Sequence, residues 1–149
     1  YYLHGALHIF DKKDKIIKNT FSRTSIPLKE QTLRNLEKEI YPIFVSEGTS
    51  QQKKSKIIHN AYLNHCYKSL GAIGSKESSL IIFGTLLKTN DIHIRETILH
   101  NKVTNIYIGI SSESQIKDLE PFIHELSEAR IPKIVKFYNY KTTKVWRDL

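Results

Sequence analysis

The first residue placed to do chemistry is His4, in Tyr2-Leu3-His4-Gly5. An imidazole titrates near neutrality and can serve as a general base. A glycine directly after it lets the backbone pass close to a ligand. His8 follows four residues on, on the same strand face if the strand is regular. The competing reading is a pair of half-buried strand histidines with no chemical role, and composition alone favours it.

Gly84-Thr85 closes the apolar run Leu80-Ile81-Ile82-Phe83. The glycine allows a tight turn, and the threonine hydroxyl can bond a ribose or phosphate oxygen. A strand-end Gly-Thr pair is common, so it is weak alone. Glu47-Gly48-Thr49-Ser50 opens a segment carrying Lys53, Lys54 and Lys56. Cations there oppose a helix macrodipole, and an anion held at the helix start would offset them. Solvated lysines in the first two turns are the simpler explanation of the pattern. In Asn90-Asp91-Ile92-His93, an acid and a histidine two apart could ligate a metal, but helix capping by Asn90 or Asp91 accounts for the polar residues. His59, His65, His100 and His124 share no spacing and read as structural, and Cys66 reads as a buried, inert thiol. Neither G-x-G-x-x-G nor G-x-x-x-x-G-K-[ST] occurs, and no nucleophile elbow or Ser-His-Asp context is present.

These residues need elements to hold them. Tyr1 to Phe10, the polar turn Asp11-Lys12-Lys13-Asp14 and Lys15 to Phe21 read as a hairpin. Ser25-Ile26-Pro27 starts a helix with an inward stripe of Leu33, Leu36 and Ile40, stopped by Pro42. Ile43-Phe44-Val45 is a short strand. One long helix follows, with Ile57, Ile58, Ala61, Tyr62, His65, Cys66 and Leu70 on one buried face. Leu80 to Phe83, without alternation, reads as a strand covered on both sides. A helix with Ile94 and Ile98 inward, the strand Val103 to Ile110, a helix with its main part starting near Pro121, and the strand Ile134 to Tyr138 complete the chain. Alternating helices and strands predict a three-layer Rossmann-like α/β domain over residues 1–149, with a largely parallel sheet and an N-terminal hairpin. Ligands in such folds sit beyond the carboxyl ends of the strands, here Ser46 to Ser50, Gly84 to Leu86 and Gly109 to Ser112.

The chain has 149 residues and a net charge of +8, with 40% hydrophobic and 26% charged residues. That suits one folded domain and disfavours disorder. No apolar run approaches the ~18 residues of a membrane span, and no targeting segment is visible, so a cytoplasmic protein with no membrane partner is expected. One cysteine makes neither an internal disulfide nor a cysteine zinc site. The positive charge favours an anionic ligand. Its lysines are scattered rather than gathered on one element, so weak nucleic-acid binding at most is expected. The chain starts at Tyr1 and contains no methionine, so a fragment of a longer protein is expected, with apolar surface that a second copy could cover as a homo-oligomer.

In order, YYLHGALHIFD, SRTSIPLKEQ, IFVSEGTSQQKKSKIIHNAYL and IIFGTLLKTNDIHI resemble an uncharacterised bacterial domain family of the sirtuin-like NAD-binding group. The resemblance spans roughly Tyr1 to Ile110. It implies NAD as the ligand and no metal. It makes His4 the catalytic base and places Gly5, Gly84, Thr85, Asp91 and Ser111 at the cofactor. Leu86 stands where such turns carry serine. The Gly-Ala-Gly phosphate loop of the group, which precedes the His-Gly pair, is not in this chain, and neither are the four zinc cysteines of the deacylases. The resemblance therefore implies NAD hydrolysis in the full-length protein rather than deacylation, and an inactive fragment. The alternative is a catalytically inactive basic module binding nucleic acid or protein.

Overall fold

Lys13, in the left-handed region at φ 56°, turns the chain where the polar run predicts a reversal. In this computed structural model, which describes residues 1–13, 15–75 and 77–143, β1 (Gly5–Lys12) pairs antiparallel with β2 (Lys15–Lys18). The chain divides into two compact units, residues 1–67 and residues 68–149.

In the first unit a short helix, α1 (Phe21–Thr24), follows the hairpin, and α2 (Leu28–Leu36) starts directly after Pro27. Its expected inward stripe is largely outward, since Leu33 and Leu36 are exposed. β3 (Pro42–Phe44) does not enter a parallel sheet as expected. It pairs antiparallel with β1, Gly5 opposite Phe44 and Phe10 opposite Pro42, giving the order β2-β1-β3. A run of three apolar residues encodes burial but not the direction of its partner. Ser46 to Ser50 therefore lies beyond no parallel strand.

The long helix is two helices, α3 (Ser50–His59) and α4 (Ala61–Ala72). Asn60 is extended between them, and its Oδ1 accepts the Leu63 N–H at 3.0 Å, the bond an N-cap residue makes. The break rotates the buried face: Ile57, Leu63 and Cys66 are buried, whereas Ile58 is 46% exposed and Ala61 is exposed. Ile57, not Ile58, is thus the position on α3 whose truncation opens a cavity, at about 2–4 kcal/mol. It packs with Ile9, Ile43, Val45 and Leu63.

The second unit holds the parallel strands. β4 (Ser79–Ile82), β5 (Asn105–Ile110) and β6 (Ile134–Asn139) lie in the order β4-β5-β6. α5 (Ile92–His100) and α6 (Ser114–Ser127) are the crossovers. Ile106, Ile108 and Ile110 alternate onto the buried face, and α6 packs on α5 and β6. Leu80 to Phe83 is not covered on both sides, because Ile81 is 67% exposed. The topology gives the reason. Consecutive strands wound in one direction by crossovers of one hand collect both helices on one face. α6 also runs unbroken through Pro121, against the expected start there. Pro121 is on its exposed side, where the carbonyl left without a donor can turn to water.

Among the described residues, no helix is long and apolar enough to cross a membrane.

Candidate functional site

Four of the six expected site residues share one edge of the parallel sheet. Ile82 pairs with Ile108, and Ile110 with Asn139. Gly84-Thr85 and Ser111 therefore follow neighbouring strands at their carboxyl ends. Asp91 directly precedes α5, the helix that returns from that edge.

The turn after β4 is held at defined points. Gly84 has φ +76°, and a Cβ there would meet nothing within 4 Å. The backbone angle demands glycine, and open space lies beside it. Thr85 Oγ1 accepts the Leu87 N–H at 3.1 Å, which leaves its hydroxyl proton free to donate elsewhere. Leu87 is itself left-handed at φ 48°, a strained angle for a branched side chain. Its side chain is buried and its carbonyl accepts from Arg95 Nε. The Arg95 guanidinium lies 4.8 Å from the centre of the Phe122 ring. Burial lowers its pKa from the ordinary value, while the charges of Glu125 and Asp91 pull the other way.

Asp91 does not cap α5 through its side chain, contrary to the capping expectation. An Asp91 carboxylate oxygen and a ring nitrogen of the fully buried His93 lie within 4.8 Å. Beyond β5, Ser111 donates to Gln115 Oε1 through both its N–H, at 2.7 Å, and its hydroxyl, at 3.2 Å. A cleft of about 340 Å³ opens here, lined by Ser111, Ser112, Glu113, Tyr138 and Asn139 among others, at the start of α6. At this start the Gln115 and Ile116 N–H groups donate to Ser112 O at 3.2 Å and Glu113 O at 3.0 Å, and Glu113 is among the residues lining the cleft.

In the first unit, His4 precedes β1 and is half-buried, and its carbonyl accepts the Val45 N–H at 2.8 Å. The Gly5 N–H donates to Tyr2 O at 3.0 Å, closing a turn around His4. Gly5, at φ +73°, opens β1 and leaves His4 outside the strand, so the expected common face of His4 and His8 does not follow. His8 instead meets Tyr2: its Nε2 is 3.4 Å from the Tyr2 hydroxyl, and the rings pack edge to face. At Thr49 a capping box with Gln52 satisfies the start of α3, and Lys53 is buried, so no anion is needed to explain those lysines.

Arg95, Gln115 and Tyr138 were not singled out from the sequence. Gly109, in the interior of a strand, is the one signal that could have led to Tyr138, since such a glycine often marks a close approach. A family model described as "Domain of unknown function (DUF4917)" matches residues 1–146. No curated protein and no solved structure matches the chain.

Proposed function

We propose that this chain, which belongs to the DUF4917 family, binds NAD or a related nucleotide at the carboxyl edge of β4, β5 and β6. In the intact protein it would hydrolyse the nicotinamide–ribose bond. The observation that supports this most is the sharing of one parallel-sheet edge by Gly84-Thr85 and Ser111, of which Ser111 lines a cleft at the start of α6. Open α/β sheets bind nucleotides at such edges. At about 340 Å³, the cleft suits one half of a dinucleotide better than the whole. In this reading the parallel unit, with α5 and α6 on one face of its sheet, is the core of a Rossmann-like, sirtuin-like domain.

The parts would act as follows. Thr85 donates its hydroxyl proton to a ribose oxygen. Leu86 supplies no hydrogen bond where a serine would. His4 takes a proton from a ribose hydroxyl or from water. The water oxygen bonds to the ribose carbon as the carbon–nitrogen bond breaks, and its electron pair leaves with neutral nicotinamide.

Calorimetric titration with NAD tests the binding step. Saturable binding is expected, weakened about fivefold or more by Thr85→Val, which loses both the ribose bond and the Leu87 N–H bond that holds the turn, and retained by Thr85→Ser. A wild-type protein giving no saturable heat removes the reading.

A further inference from the structure

We infer that Tyr138 is a positioning residue for the Gly84-Thr85 turn, an assignment that rests on the nucleotide-binding reading of that turn. Tyr138 belongs to β6, and β5 separates it from β4. Its hydroxyl nevertheless donates to the Ile82 carbonyl at 3.1 Å. The ring can lie across the middle strand because the residue paired with it there is Gly109. A Cβ at 109 would stand 2.9 Å from both Cζ and the hydroxyl oxygen of Tyr138. Glycine inside a strand weakens it, and here its absent side chain is the space the tyrosine occupies.

Ile82 is the last residue of β4 and lies two before Gly84. The next residue, Phe83, packs its ring edge to face on Tyr140, centroids 5.9 Å apart. The entry to the turn is thus tied to the end of β6 by a hydrogen bond and a ring contact. Its exit is tied by Arg95 at Leu87. Gly84, Thr85 and Leu86 span these two anchors. Tyr138 also lines the cleft beside Ser111, so its placement sets both sides of the proposed binding edge. A binding group is only as well placed as the side chains that support it.

Hydrogen exchange and NAD titration on wild type, Tyr138→Phe and Gly109→Ala test this. Tyr138→Phe keeps the ring and removes one hydrogen bond. Amides of residues 84–87 should exchange about fivefold faster, with NAD affinity falling by a similar factor. Exchange in α5 and α6 should stay unchanged. Gly109→Ala, which pushes the ring away, should speed exchange at the same four residues. In the double variant the effects should be less than additive. Unchanged exchange at residues 84–87 in Tyr138→Phe overturns the assignment whether or not NAD binds. Faster exchange with unaltered NAD affinity overturns it too. A wild type that binds no NAD overturns the nucleotide reading and not the clamp, which then stands or falls on the exchange rates.

Discussion

Gly5→Ala should destabilise the first unit by about 4 kcal/mol or more, enough to lose cooperative unfolding. Two effects add at this position. Its φ of +73° is one that alanine adopts only under strain. Its Cβ would also stand 2.0 Å from the Ile43 carbonyl oxygen, 2.7 Å from the Ile43 carbonyl carbon and 3.1 Å from Phe44 Cα. All three are backbone atoms, so no rotamer change relieves the clash. Only separation of β1 from β3 does, and that exposes Ile9, Ile43 and Val45 of the core. The same separation releases the Val45 N–H bond to the His4 carbonyl. A urea melt measures the loss, and an unfolding free energy within about 1 kcal/mol of wild type, the typical cost of any point substitution, would refute the packing described.

Lys133→Met should cost about 2–4 kcal/mol. The lysine is buried, and its Nζ donates to Asn101 O at 2.9 Å, Asn101 Oδ1 at 3.2 Å and Val103 O at 2.8 Å. Asn101 and Val103 are buried too, so methionine removes the Lys133 donor from both carbonyls, which lie away from water, while Asn101 Oδ1 keeps the Val103 N–H. Relief of the buried charge offsets part of the loss. Burial also lowers the Lys133 pKa from its ordinary value, which gives the effect a pH dependence. Between the lowered folded value and the ordinary one near 10.5, the unfolded chain holds a proton that the folded chain has shed. Wild-type stability therefore rises with pH through that window relative to the variant. The cost of Lys133→Met should be larger at the top of the window than at pH 7. Urea midpoints of both proteins across that range check the sign, and a cost that shrinks with rising pH would contradict it.

The contrast between these two residues shows what the sequence could convey. Gly5 stood out because glycine after histidine at a strand start signals an unusual backbone. The atom it avoids, Ile43 O, follows from β3 lying beside β1, which nothing in Ile43-Phe44-Val45 specifies. Lys133 looks like any other lysine before a strand, and only the fold turns it toward the carbonyls at the end of α5. The strands Leu80 to Phe83, Val103 to Ile110 and Ile134 to Tyr138 were legible because short β-rich runs bounded by turns encode themselves locally. Their layer was not, since coverage of the second face depends on winding direction. Asn60 escaped notice because the apolar spacing continues smoothly across it, and a single polar residue in a stripe does not announce a cap. At the candidate site, Gly84, Thr85, Asp91 and Ser111 were visible as strand-end or helix-start residues. Arg95 and Tyr138 were not, because they act on the turn from elements distant in sequence.

In the function proposed above, NAD is cleaved with His4 as base. The most direct measurement is to incubate the intact protein with NAD and follow nicotinamide release by chromatography, beside the His4→Ala protein. Release by the wild type and its loss in His4→Ala are expected, with NAD affinity and the unfolding midpoint retained. Equal release by both proteins would contradict the role of His4, and no release by the intact wild type would contradict the claim itself.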